Sequence, residues 1–162
     1  MNNKIAVCIN EEDYLMDAIL NNIAIWIPFT TWCTVQIMKF LFDLMSEKRI
    51  NLKRLYGSGG MPSSHSATVM SVTTMAGLIE GFDSLAFAAC FAFSIIVMYD
   101  AAGVRRAAGK QARVLNQIIA NYKEINIQEK LVELLGHTPI EVLVGAIFGV
   151  IETLALYKVF VA

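Results

Sequence analysis

Residues 18–38, AILNNIAIWIPFTTWCTVQIM, run for 21 positions without a charged side chain. About 20 apolar residues in a helix cross the hydrocarbon core of a bilayer. This run therefore predicts a first membrane helix, continuing to about Met45, with Pro28 as its kink point. Three shorter apolar stretches follow, at about 66–79, 84–99 and 142–157. The last is interrupted by Glu152, which must face either the bundle or the far interface. Flanking His, Thr and Gly turns lengthen each stretch toward a span. The chain is 56% hydrophobic and 17% charged, with a mean hydropathy of +0.55, far from a soluble domain. The expected fold is all-α, a membrane bundle of about four transmembrane helices.

A polar, acidic leader covers 1–17, with a small strand at 5–9 or an interfacial helix at 11–19. It has no basic segment ahead of an apolar run, so no cleavable signal is read there. A single domain then fills 18–162. Within it, about 103–135 is amphipathic: Leu115, Ile118, Ile119 and Tyr122 form one helical stripe, and Leu131, Leu134 and Leu135 a second. Gly136 is expected to end that insertion as a helix C′ residue, and Thr138-Pro139 to start the last helix. The insertion reads as a cytoplasmic helical lid; its mixed charges argue against a nucleic-acid surface.

Basic residues divide unevenly between the two ends of the bundle. Lys48, Arg49, Lys53 and Arg54 lie between the first two stretches. Arg105, Arg106, Lys110, Arg113, Lys123 and Lys130 lie between the third and fourth. The opposite face carries only Lys4 and Lys158. The positive-inside rule then places both termini outside and both long loops on the cytoplasmic face. Cys8, Cys33 and Cys90 are scattered and odd in number, without disulfide or metal spacing. Small residues (Ala67, Ser71, Thr74, Ala76, Gly77) and the stretch Gly145-Ala146-Ile147-Phe148-Gly149 mark close helix contacts, within the chain or in a homo-oligomer.

Both histidines of the chain sit where a glycine-containing loop turns into an apolar helix. One reads Gly57-Ser58-Gly59-Gly60-Met61-Pro62-Ser63-Ser64-His65, the other Gly136-His137-Thr138-Pro139-Ile140-Glu141. A helix start offers free N–H groups to an anion, and histidine can attack phosphorus or pass protons near neutral pH. Cations to hold phosphoryl oxygens are Lys39, Arg105 and Arg106; Lys39 near a helix end either snorkels or pairs. Asp100, just before the arginine pair, is placed to orient one of them, or is an ordinary boundary charge. His137 and Glu141, four apart, share a helix face, and the carboxylate can fix the imidazole tautomer. Thr138-Pro139-Ile140-Glu141 is equally a capping box, and the two roles are compatible. His65, His137, Asp100 and Glu141 lack tight metal-ligand spacing among so many cations, so neither metal nor cofactor is read.

Three motifs in order resemble the divergent branch of the type-2 phosphatidic acid phosphatases, relatives of acid phosphatases and vanadium-dependent haloperoxidases. They are Gly59-Gly60-Met61-Pro62-Ser63-Ser64-His65, then Tyr99-Asp100-Ala101-Ala102-Gly103-Val104-Arg105-Arg106, then Leu134-Leu135-Gly136-His137-Thr138-Pro139-Ile140-Glu141. The resemblance covers about 34–160. Gln36-Ile37-Met38-Lys39 is similar to the family's phosphate-binding lysine motif, without the Arg-Pro that usually follows. Glu141 stands where the wider superfamily has aspartate.

The resemblance implies hydrolysis of a phosphate monoester without metal. His137 would be the nucleophile, Glu141 its orienting partner, and His65 the proton donor to the leaving group. Lys39, Ser63, the Ser64 N–H and Arg106, with Arg105 as stand-in, would hold phosphate; Asp100 and Gly60 would support them. The implied substrate is a lipid phosphate of the phosphatidic acid, phosphatidylglycerophosphate or polyprenyl phosphate type. The altered first motif and the glutamate leave a second reading, a protein that binds or translocates phospholipid without turnover.

Overall fold

The computed structural model describes residues 11–47, 60–121, 131–133 and 135–161. They form six helices: α1 (Glu11–Leu20), α2 (Ile23–Glu47), α3 (Ser64–Glu80), α4 (Leu85–Ala102), α5 (Val104–Asn121) and α6 (Pro139–Val161). The strand considered at 5–9 lies outside the described residues. A helix does form at the other candidate, 11–19, as α1.

The uncharged run does not make one helix. It breaks at Asn21-Asn22, and the segments Tyr14–Leu20 and Ile23–Met45 meet at 46°. Asparagine side chains compete with the backbone ladder and favour caps. Asn21 Nδ2 donates to the Asp17 carbonyl at 2.8 Å, and Asn22 Oδ1 accepts from the Ala24 N–H at 3.0 Å. One asparagine closes α1 and the next opens α2, which then runs on through Pro28. The asparagine pair thus adds a bend ahead of Pro28, which lies inside α2.

Length and apolarity qualify two helical stretches to cross a membrane, Leu85–Asn121 and Pro139–Val161, and a third if the bent α1–α2 pair is one span. The apolar part of the first is α4; α5 prolongs it with a basic, amphipathic sequence. At 17 residues, α3 is about 26 Å long and sits at the short limit for a span.

Although short, α3 is the centre of the bundle and packs on α6, α4 and α2. Ser63 caps it, accepting from the Ser66 N–H at 3.4 Å. A tight turn follows at Gly81 (φ +95°), and Ser84 caps α4 by accepting from the Phe87 N–H at 3.1 Å. Lipid is as apolar as leucine, so helices gather through small residues and polar contacts rather than hydrophobic burial. Buried hydroxyls supply the latter. Ser71 Oγ accepts from Thr153 Oγ1 of α6 at 2.6 Å and lies 3.4 Å from Thr31 Oγ1 of α2. Thr73 and Ser94 join α3 to α4 at 2.7 Å. Glu152, beside Thr153, is half-buried, with Oε2 enclosed.

The glycines of α6 face α3 within the same chain. A Cβ on Gly145 would overlap the Ser63 carbonyl oxygen, and one on Gly149 the Ala67 carbonyl oxygen. Backbone cannot yield as a side chain can, so Gly149→Leu must push α6 off α3. Overpacking of this kind costs about 1–3 kcal/mol, sometimes more. The expected result is a clear drop in thermal unfolding temperature in detergent, with Ile147→Leu on the exposed face close to wild type. Equal stability of the two variants would contradict the close contact.

The amphipathic insertion is only partly as expected. Its first stripe lies on α5, while 122–130 and Leu134 fall outside the described residues. Leu131 and Leu135 are not helical, so no second helical stripe forms there. Instead Asn116 binds the returning chain as a strand neighbour would, donating to the Leu131 carbonyl at 2.9 Å and accepting from its N–H at 3.0 Å. Gly136 is correspondingly not a helix C′ residue. It takes φ +81° in a turn where a Cβ would strike the backbone of Arg105 and Arg106.

Candidate active site

Two helix starts meet at one end of the bundle because backbone hydrogen bonds tie them together. The Ser63 N–H, at the cap of α3, donates to the Glu141 carbonyl of α6 at 3.1 Å. The His137 N–H donates to the Ala101 carbonyl at the end of α4 at 2.9 Å. Those ties fix three helix ends relative to one another. The His65 and His137 rings consequently stand 6.1 Å apart between centroids, at 64°.

His137 is 2% exposed. Its Nδ1 lies 3.1 Å from Glu141 Oε2, which also accepts from the Thr138 N–H at 3.0 Å, while Thr138 Oγ1 accepts from the Glu141 N–H at 3.3 Å. The capping box and the carboxylate–imidazole pair are thus the same structure. A carboxylate on Nδ1 favours the tautomer protonated there and leaves the Nε2 lone pair free. That Nε2 is buried with no hydrogen-bond partner of good geometry among the described residues, and His65 Nδ1 is in the same condition. The Gly60 backbone, at φ +82°, lies close enough to His137 to favour its protonated form slightly.

Lys39 does not snorkel. It is buried on α2 and donates from Nζ to Ser64 Oγ at 3.2 Å, across the α2–α3 contact. Ser63 and Ser64 are buried with it. Arg105 donates from Nε to Asp100 Oδ2 at 2.6 Å, both side chains being partly exposed. Arg105, Lys39 and Asp100 are all within electrostatic reach of His65.

Arg106 points elsewhere. Together with Gly60, His137, Thr138 and Glu141 it lines a cavity of about 360 Å³ that extends along α5 past Lys110 and Arg113. Arg106, Lys110 and Arg113 follow the spacing i, i+4, i+7, one face of a helix. That register is legible in the sequence, although there Lys110 and Arg113 enter only the charge balance between the two ends of the bundle. Glu133 borders the cavity too, 3.3 Å from Arg113 Nε and 2.8 Å from Asn116 Nδ2. All ten candidate residues lie around this one end of the bundle. Seven of them fall into two groups, Arg105 and Asp100 toward His65, and Arg106, Gly60 and Glu141 toward His137; Lys39, Ser63 and Ser64 sit at the start of α3. Among the described residues, no three His, Cys, Asp or Glu side chains stand close enough to share a metal ion.

Burial holds the His137 pKa below the usual imidazole value; the Glu141 hydrogen bond opposes that shift, and the Lys39 charge adds to it. A nucleophilic imidazole must be neutral, and a lowered pKa keeps it so to lower pH. The acid limb of a kcat/KM profile, assigned to His137, is therefore expected below pH 6.5, the ordinary histidine value. Glu141→Gln removes a partner that raises this pKa and should carry the limb lower still. A limb above pH 6.5, or one moved upward by Glu141→Gln, would contradict this electrostatic assignment.

Comparison with known proteins places this geometry in context. A family profile described as "Divergent PAP2 family" matches residues 20–152. The "Uncharacterized membrane protein YuiD" of Bacillus subtilis (strain 168) is 39% identical over 134 residues, which covers 75% of this chain and 85% of the relative. No solved structure matches the chain.

Proposed function

Because this chain belongs to the Divergent PAP2 family, we propose that it is an integral-membrane phosphatase hydrolysing the phosphate monoester of a lipid through a phosphohistidine. The observation that carries the reading is the pair of imidazoles 6.1 Å apart, one of them held at Nδ1 by Glu141 with Nε2 free in the site. That separation brings a nucleophile and a proton donor within reach of a single phosphoryl group, as phosphoryl transfer needs.

In the first step His137 Nε2 attacks phosphorus. The N–P bond forms, the P–O bond to the lipid breaks, and His65 gives its proton to the departing alkoxide. In the second, His65 takes a proton from water, the water oxygen attacks phosphorus, and the N–P bond breaks to release orthophosphate. Lys39, Ser63, the Ser64 N–H and Arg106 bind the phosphoryl oxygens, whose charge they neutralise as the transition state forms. Arg105 is held by Asp100 beside His65 and acts from that side. Ten basic residues on the two long loops against two on the opposite face support a site at the cytoplasmic interface, with both termini outside.

The test is orthophosphate release by purified protein in detergent from phosphatidic acid, phosphatidylglycerophosphate and a polyprenyl phosphate. Release from at least one, inhibited by vanadate as a five-coordinate mimic, is the expected result. Tight binding of all three without release would instead identify a phospholipid-binding or translocating protein.

A further inference from the structure

Among the described residues, two apolar grooves line the outside of the bundle, and one of them shares a helix face with the candidate leaving-group acid. It lies between α3 and α4, encloses about 250 Å³, and is lined by Val69, Val72, Ala89, Cys90 and Phe93. Val69 and Val72 are four and seven residues beyond His65 on α3. They stand on its face about 6 and 10 Å deeper along the helix. On α4, Phe93 is seven residues before Asp100, again on one face. Both walls of the groove thus rise to the end where His65, Asp100 and Arg105 lie within electrostatic reach of one another. The other groove, lined by Met70, Ala146, Ile147, Val150 and Ile151, does not share this register: Met70 is five residues from His65, turned roughly 140° away.

We propose that the α3–α4 groove seats one hydrocarbon chain of the lipid whose phosphate is cleaved. This rests on the phosphatase reading, and the chemistry of that reading selects the side. The lipid is attached at the leaving oxygen, so it must depart from the His65 side, opposite the attacking nitrogen of His137. Charge complementarity names the occupant: an apolar groove that runs up to His65, with Arg105 and Lys39 within electrostatic reach of that ring, suits an amphiphile with an anionic head and a hydrocarbon tail. At about 250 Å³ it is smaller than the ~300–1,000 Å³ clefts that enclose whole drug-sized ligands, which fits a single chain lying along the helices. Lipid tails are already in an apolar medium, so the groove gives no hydrophobic gain. What it contributes is aim, by holding the ester oxygen toward His65.

Groove filling tests this. Val72→Trp and Ala89→Phe should each lower kcat/KM for long-chain phosphatidic acid at least tenfold while changing that for soluble p-nitrophenyl phosphate less than twofold. Ile147→Trp, in the other groove, should alter neither. Equal losses on both substrates, or a larger chain-dependent loss with Ile147→Trp, would overturn the assignment. A second measurement does not depend on turnover. Phosphatidic acid carrying a mid-chain diazirine, photolysed with the wild-type protein in nanodiscs, should label 69–72 and 89–93. Unlabelled phosphatidic acid should compete and phosphatidylcholine should not. Labelling elsewhere, or equal competition by phosphatidylcholine, overturns the groove. Correct labelling by a protein that releases no phosphate keeps the groove and removes the hydrolytic reading alone.

Discussion

Turnover of a lipid phosphate should fall on the order of 10⁴–10⁶-fold in His137→Ala, the scale on which enzymes lose a covalent nucleophile. No neighbour can take over. Nε2 is enclosed, and Glu141, the nearest carboxylate, is occupied by Nδ1 and by the Thr138 N–H. The fold should survive the substitution, because the tie from this position to Ala101 runs through the backbone N–H, which alanine retains. Thermal unfolding close to wild type, together with abolished turnover, is the expected pair of results. Activity within tenfold of wild type would remove His137 from the mechanism.

His65→Ala should depend on the substrate. Its role is to protonate an alkoxide, and general acid catalysis contributes about 10²–10⁴-fold. The full loss is expected with a lipid phosphate, whose alcohol leaves poorly. With p-nitrophenyl phosphate the leaving group needs no proton, so phosphorylation of His137 should stay fast. Hydrolysis of the phosphohistidine, which also uses His65, should then become limiting. The variant should show a burst of nitrophenol close to one equivalent followed by slow turnover, the kinetic mark of an accumulating covalent intermediate. Uniform loss on both substrates without a burst would place His65 in binding rather than proton transfer. Because the ring is 6.1 Å from His137, the variant also removes bulk beside it. Vanadate affinity within a few-fold of wild type would separate that effect from chemistry.

Much of this site could be read from particular residues before any coordinates. Pro62-Ser63-Ser64-His65 and His137-Thr138-Pro139-Ile140-Glu141 each combine a cap, a proline and a titratable group, and local rules of helix initiation place all three. Spacing alone predicted the contact of His137 with Glu141. The division of labour between Arg105 and Arg106 was not legible. It depends on where α5 restarts after Gly103, and on the turn at Gly136 that fits against the backbone of both arginines. Lys39 was ambiguous for a related reason: whether a lysine snorkels or pairs depends on its neighbour across the bundle, here Ser64.

The fold departs from its hydropathy and periodicity where a polar side chain replaces a backbone partner. Asn21 and Asn22 interrupt a run that hydropathy reads as continuous, since an uncharged amide costs a hydropathy window little but caps a helix well. Asn116 holds the chain at Leu131 by backbone-like hydrogen bonds, overriding the helical periodicity of the leucines. Small residues on α3 and α6 were legible as contacts, but their partner was not. The structure seats Gly145 and Gly149 on Ser63 and Ala67, which makes the close-packing face part of what holds the two histidines together.

The central claim is that one phosphoryl group passes from lipid to His137. Rapid mixing of the purified protein with a lipid phosphate carrying labelled phosphorus, quenched in base and mapped by mass spectrometry, addresses it directly. The account predicts label on His137 that survives alkali, is lost in acid, and is absent from His137→Ala. Phosphate released without any labelled protein, or label found on serine or aspartate instead, would contradict it.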